Sequence, residues 1–244
     1  MILKYDLPTI VYPSQTDSSG RLGISDCFSL FMDIAAPHAA LLDCGTQDLA
    51  KKNLFWLTVR SKIKIIRRPY MMENITLSTW PDDPEETRCN RNYSITQNGK
   101  PLVLGKTLWA VLNIKTGKLS RVDELYPEGF KAHQEITIPE PFTRFNRSFE
   151  GEPFGSYQVR STDIDFGGHM NNIAYIRALE SLFTAKEWQE LNVTEAEIHY
   201  KSPCFEGNIL NFEKKTVDDS VQFCAKLPDG KIVLNAALKT SNPV

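Results

Sequence analysis

No stretch of the 244-residue chain approaches the ~18 consecutive apolar residues that a membrane-spanning helix needs. The amino terminus places Lys4, Asp6 and Pro8 where a secretory signal carries an unbroken apolar segment. An excess of one charge is also missing: 28 basic against 30 acidic side chains leave a net charge of -2, which gives nucleic acid no electrostatic hold. The 5 cysteines, Cys27, Cys44, Cys89, Cys204 and Cys224, are odd in number and widely spaced, which excludes a disulfide framework and a zinc knuckle. Asn-x-Ser/Thr triplets at Asn74, Asn92, Asn146 and Asn192 would matter only in a secreted chain. Neither Gly-x-Ser-x-Gly nor His-Glu-x-x-His occurs, so serine-hydrolase and zinc-protease readings have no foothold. The run from Gly99 to Thr107 has one residue too many between its glycines for a phosphate-binding loop. These absences predict a cytoplasmic protein with no membrane span and no nucleic-acid partner, and nothing implies a metal or a cofactor. What remains is an ordinary globular composition, 41% hydrophobic and 24% charged, at a length that admits one large domain or two.

An internal repeat favours two. Val11, Asp17 and Gly20 fall on Val159, Asp165 and Gly168, at a constant offset of 148 positions. Apolar residues follow at helical spacing in each copy: Ile24, Phe28, Phe31, Ala35 in the first and Ile173, Ile176, Leu179, Phe183 in the second. Residues 65–77 align with 199–211 at an offset of 134, and Asn98-Gly99-Lys100 with Asp229-Gly230-Lys231 at 131, the last pair being hairpin turns. Each copy is thus expected to hold a strand, a long helix, then further strands: 55–66, 73–82, 86–97 and 101–114 in the first, 194–201, 207–216, 219–226 and 231–240 in the second. Alternation from Val59 to Ile65 predicts an antiparallel sheet wet on one side. Pro127, Pro139, Pro141 and Pro153 fall in an aperiodic stretch that suits a linker. The expected division is 1–128, a linker 129–153, and 154–244.

The second copy carries Asp165-Phe166-Gly167-Gly168-His169-Met170-Asn171-Asn172-Ile173-Ala174-Tyr175 between a strand and a helix. Paired glycines allow a tight turn and close backbone approach, and Asn171 or Asn172 suits the helix cap. Free amides and the positive end of the helix dipole are then expected near Gly168 and His169, where an oxyanion could sit, with a carboxylate at the mouth of the turn. A base and an oxyanion hole suffice for attack of water on a thioester, whose leaving thiol has a pKa near ~8.5 and needs no strong general acid.

This run resembles the signature of hotdog-fold thioesterases, and the whole chain resembles the double-hotdog acyl-acyl carrier protein thioesterases. Supporting segments are Trp56 to Arg60, Leu108 to Asn113 and Lys118 to Arg121. The resemblance implies an α+β fold of two tandem hotdog domains, each a curved antiparallel sheet wrapped around a long helix. It implies hydrolysis of fatty acyl-acyl carrier protein to free fatty acid, with Asp165 and His169 in the catalytic positions and the acyl tail in a tunnel between helix and sheet. Gly167, Gly168, Asn171 and Cys204 complete the candidate set. Two positions depart from the family pattern: Gly167 stands where Asn is usual, and Pro203, next to Cys204, where Glu is usual. Glu206 lies near but out of register. Acyl-coenzyme A hydrolysis, or an acyl-binding protein with weakened catalysis, are the alternatives, and a homodimer is compatible with any of them.

Comparing the halves, His169, Asn171, Asn172 and Tyr175 correspond to Arg21, Gly23, Ile24 and Cys27. One active site per chain is expected, the first copy supplying pocket wall. Asp163 is read as an exposed strand residue, Cys204 as a packed thiol more readily than a nucleophile, and His38, after Pro37, as a core residue. Arg60, Lys62, Lys64, Arg67 and Arg68 are read as a solvated sheet face, or alternatively as a docking patch for acidic acyl carrier protein.

Overall fold

A computed structural model describes residues 2–146 and 148–241. They form two compact units that divide between Glu140 and Pro141. In the first unit β1 (Tyr5–Ile10) precedes α1 (Ile24–Leu41) and α2 (Thr46–Lys51), followed by β2 (Leu54–Ile65), β3 (Asn74–Pro81), β4 (Arg88–Gln97), β5 (Lys100–Asn113) and β6 (Lys118–Ser120). The strands lie antiparallel in the order β1-β3-β4-β5-β2, with β6 paired to β5. The second unit comprises β7 (Glu152–Gln158), α3 (Asn172–Glu180), α4 (Ala185–Glu190), β8 (Val193–Tyr200), β9 (Ile209–Val217), β10 (Ser220–Lys226) and β11 (Ile232–Thr240). Its order is β7-β9-β10-β11-β8, also antiparallel. Substituting each strand by its counterpart makes the two orders identical, so the repeat read from sequence is a repeat of topology.

Apolar periodicity explains how α1 seats in its sheet. Ile24, Cys27, Phe28, Phe31, Ile34 and Ala35 are all buried. Phe31 stacks on Tyr93 of β4 with ring centroids 4.8 Å apart. Tyr93 is paired in register with Gly105 of β5. A Cβ at Gly105 would lie 2.3 Å from the Phe31 ring, so only glycine leaves room for the aromatic pair. The expected strands are all present with ends shifted by a residue or two, and Asn98 and Gly99, both at positive φ, make the β4–β5 turn.

Three expectations need correction. The helix of the second copy is not long: α3 stops at Glu180, and α4 starts afresh at Ala185 behind Thr184, whose side chain accepts from the Glu187 amide. Ser181 and Thr184 compete with the helix ladder for backbone partners, the former bonding back to the Ala178 carbonyl at 2.8 Å. Phe183 therefore lies in the link, clustered with Phe154 and Phe223, rather than on a helix. The basic set is not one uniform solvated face, because Lys62 is only 5% exposed, and of the others, Lys64 alone being half exposed, most are matched by carboxylates. Arg67 is paired with Glu73, Arg68 with Asp17, and Lys64 with Glu140. Asp163 ends a short 3-10 turn, its carboxylate accepting from the Arg160 amide at 2.7 Å and the Tyr157 hydroxyl at 2.9 Å.

The proline-bearing connector lacks regular structure but is tied down. Within the first unit Trp80 Nε1 donates to the Glu135 carbonyl at 2.6 Å and the Thr137 amide to Asn92 Oδ1 at 3.1 Å, with Ile138 buried. Within the second, Thr143 donates to both oxygens of buried Glu197.

Candidate active site

The segment from Asp165 to Asn171 is held by a fixed set of main-chain bonds. The Asp165 amide donates to the His169 carbonyl at 2.9 Å, and the Gly168 amide closes the turn onto the Asp165 carbonyl at 3.0 Å. Gly168 has φ +75, a conformation that favours glycine. The Met170 amide donates to the Cys204 carbonyl and the Asn171 amide to the Asp163 carbonyl, both at 2.8 Å. Asn171 caps α3, its Oδ1 accepting from the Ile173 amide at 2.8 Å.

The first unit repeats this frame bond for bond. The Asp17 amide donates to the Arg21 carbonyl, Gly20 to the Asp17 carbonyl, Leu22 to the Pro69 carbonyl and Gly23 to the Gln15 carbonyl. In both copies the aspartate Oδ1 accepts from the amide two residues on, Ser19 in one and Gly167 in the other, at 2.8 Å. The difference lies at the second oxygen. Asp17 Oδ2 is occupied by the Arg68 guanidinium. Since the Pro69 and Cys204 carbonyls take equivalent places in the two frames, the offset in this segment is 135 rather than the 134 expected from sequence, and position 68 falls on Pro203; Asp165 Oδ2 accepts no hydrogen bond from any described residue. The Asp17 carboxyl lies below the usual range: burial, the largest influence, pushes it up, but hydrogen bonds from Arg68 and Ser19 together outweigh it.

The sequence reasoning expected free amides at Gly168 and His169. Gly168 must be withdrawn, because its N–H is used in closing the turn. The His169 amide donates to no described residue and remains available. Asp165 is half-buried, whereas Phe166 is 84% exposed and His169 lies at the surface. A Cβ at Gly167 would stand 3.1 Å from Asp165 Oδ1 and 3.6 Å from His169 Nδ1, so the carboxylate and the imidazole flank that position. Phe205, which sequence reasoning missed, packs its ring 5.1 Å from that of His169. Its only signal was an aromatic side chain just ahead of an expected strand. Cys204 is fully buried, and burial raises its thiol pKa despite a hydrogen bond with Tyr175 that lowers it. Glu206 is exposed. Neither a cavity of about 560 Å³ lined by Phe183, Val221, Phe223 and Leu238 nor a smaller one in the first unit is lined by Asp165. Among the described residues no cluster of His, Cys, Asp and Glu could hold a metal ion, and no helix is long and apolar enough to cross a membrane.

Comparison with known proteins decides the family. The model of the acyl-ACP thioesterase N-terminal domain matches residues 3–130, and that of the acyl-ACP thioesterase C-terminal domain matches residues 148–237. The chain belongs to the acyl-ACP thioesterase family. It is 21% identical over 200 residues to a chloroplastic acyl-[acyl-carrier-protein] hydrolase of Cuphea viscosissima, covering 77% of this chain and 48% of that one. It is 26% identical over 207 residues to oleoyl-acyl carrier protein thioesterase 2 of Arabidopsis thaliana, covering 75% and 55%. The chain thus spans about half the length of the curated relatives it matches. An acyl-ACP thioesterase structure from Bacteroides thetaiotaomicron superposes with a TM-score of 0.87 at 22% identity, over 97% of both chains. The 12:0-ACP thioesterase of Umbellularia californica gives 0.83 at 17% identity, over 97% of this chain and 96% of that one. The double-hotdog architecture expected from sequence is therefore the architecture of this family.

Proposed function

We propose that this family member hydrolyses fatty acyl thioesters carried on acyl carrier protein, releasing free fatty acid, with one reacting centre at Asp165. The observation that carries this reading is the open Oδ2 of Asp165 beside an unbonded amide at the start of α3. Gly167 holds Oδ1 and fixes the carboxylate, leaving Oδ2 to orient a water and take its proton as the oxygen attacks the thioester carbon. The His169 amide and the positive end of α3 face the oxygen that becomes negative, and the His169 ring, steadied by Phe205, positions the thioester. When the tetrahedral intermediate collapses, the C–S bond breaks and the proton returns from Asp165 to the departing thiolate. Gly167 and Gly168 let the substrate approach the backbone closely, and Asn171 keeps the helix amino end in place. The Cys204 carbonyl anchors Met170. The carrier protein reading rests on the names of the family and of its curated relatives.

A weaker catalyst, or an acyl-binding protein, is favoured by Gly167, which offers no side-chain donor for the oxyanion. Mass detection of free acid from a panel of acyl carrier protein and coenzyme A thioesters, with Asp165→Asn as control, separates the readings. Acid release from carrier-bound substrate that the variant abolishes supports the proposal. Release from coenzyme A thioesters alone reassigns the carrier, and tight binding without turnover moves the protein to the binding class.

A further inference from the structure

Where α1 runs unbroken for 18 residues, α3 stops at Glu180, and beside that break the second unit holds a cavity of about 560 Å³. Phe183 of the link and Leu191 after α4 line it on one side, and Val221, Phe223 and Leu238 of the sheet on the other. Asp165, which precedes the opposite end of α3, does not line it. The volume is that of a ligand pocket. At roughly 30 Å³ per small group it takes a single chain of about 18 heavy atoms, which is too little for a lipid with two chains.

One cation is held against these apolar walls. Alternation along β9 puts Leu210, Phe212 and Lys214 on one face, and the first two are buried. Lys214 lines the cavity, its ammonium 4.9 Å from the centre of the Phe154 ring. That ring packs on Phe183 at 4.9 Å and on Phe223 at 5.4 Å, both of them cavity residues, so the cation stands at the edge of the apolar space. An aromatic face attracts a cation without neutralising it. Among the described residues no carboxylate forms an ion pair with Lys214. Glu152 lies opposite in the register of β7 and β9 but does not reach it, Glu213 is paired with Lys226, and Glu187 accepts from the Thr184 amide and hydroxyl, both at 2.7 Å. Lys215 also borders the cavity, but its ammonium lies over the Phe149 ring. Glu150 and Glu152 are exposed at the rim, where water and salt screen them, whereas Lys214 is partly buried. The matching ligand has one aliphatic chain and an anionic head.

We propose that this cavity binds a long-chain fatty acid, its carboxylate on Lys214 and its chain between Phe183, Leu191, Phe223 and Leu238. The site stands on Lys214 and the cavity and does not depend on the function proposed above.

Photo-crosslinking locates such a ligand in the full-length protein with no thioester present. Dodecanoate carrying a diazirine near its methyl end is expected to label Phe183, Leu191, Phe223 or Leu238, identified by peptide mass spectrometry. Plain dodecanoate should suppress that labelling at least ~ten-fold more strongly than dodecyltrimethylammonium, which puts the opposite charge on the same chain. Lys214→Met removes the preference for the acid, and Val221→Phe, which fills the cavity from the sheet side, abolishes labelling there. Labelling confined to other parts of the chain, equal or better competition by the cationic amphiphile, or labelling unchanged in either variant overturns the proposal. Circular dichroism checks folding, and if Lys214→Met does not fold, Val221→Phe and the head-group preference decide. A protein labelled at this cavity that hydrolyses nothing refutes the proposed function and leaves the site standing, and hydrolysis without labelling does the reverse.

Discussion

Substituting each of the two equivalent aspartates by asparagine should produce opposite phenotypes. In Asp165→Asn the amide oxygen still accepts from the Gly167 amide, so the turn survives, while the atom replacing Oδ2 can no longer take a proton. Loss of a positioned base costs ~10²–10⁴ in rate, or about 3–5 kcal/mol of barrier, with little change in stability. In Asp17→Asn the damage is structural. The Asp17 and Arg68 side chains are each 16% exposed, between a surface pair worth ~0–1 kcal/mol and a fully buried one whose disruption costs ~3–5 kcal/mol, so a loss of about 2 kcal/mol is expected. Acid sharpens the contrast. Because the folded-state pKa of Asp17 is depressed, its contribution is present above the unfolded value of ~3.9 and is lost as pH falls through the folded value. The unfolding free energies of parent and Asp17→Asn, measured by denaturant titration, should therefore differ at pH 7 and converge in strong acid. Acid release followed by mass spectrometry supplies the other axis. If Asp17→Asn loses turnover while keeping stability, or Asp165→Asn keeps its kcat, the assignment of the two copies is refuted.

Gly167→Asn should raise kcat/KM by ~10–100-fold, because it adds a side-chain donor beside His169 where loss of one such donor costs ~10²–10³ elsewhere; Gly167 is not in the left-handed region, and its nearest neighbour needs to give by only a few tenths of an ångström. An unchanged rate in a folded variant excludes that role. Burial, the largest influence, together with the Arg91 charge lowers the His38 pKa to about 4. The unfolded chain then binds more protons between about pH 4 and ~6.5, so stability is full above ~6.5 and falls by ~3 kcal/mol on acidification through that window. His38→Gln should flatten this slope relative to the parent, and parallel curves would count against it. All 5 cysteines are buried, and burial holds Cys44 and Cys224 at about 11 and Cys89 at about 12. A disulfide reagent should find no fast-reacting thiol until denaturant is added, and a stoichiometric burst from native protein would contradict that burial.

The sequence made the duplication legible because strand-to-helix corners and hairpin turns need particular residues at fixed spacing. Asp17 and Gly20, Asp165 and Gly168 are those residues, and the strands follow from alternation. What escaped notice were pairings over long sequence separation. Arg67, Arg68 and Lys64 read as one basic stripe, yet their partners Glu73, Asp17 and Glu140 come from three other segments. The broken second helix escaped for a different reason. Apolar spacing continues through Leu182 and Phe183, but spacing carries no record of Ser181 and Thr184 bonding to the backbone in place of the next helical turn. Arg91, buried to 5% exposure, left no signal in the sequence, because alternation says which residues share a face but not which face is buried.

The paired frames also show how one copy can carry chemistry that its twin does not. Every main-chain bond that shapes the turn at Asp165 exists at Asp17, so the carboxylate position was set by architecture common to both units. A cation at position 68 fills the remaining oxygen of Asp17 and converts that turn into a stabilising ion pair. Pro203 at the matching place leaves Asp165 without such a partner, while the Asn171 cap and the Met170 amide bond to the Cys204 carbonyl hold the turn. Pro203→Arg should then silence the centre while leaving the main-chain bonds of the turn in place. On the proposed function, the separation of a structural from a reacting aspartate needs no change in fold, only the presence or absence of one guanidinium reaching across from the segment that follows the long strand.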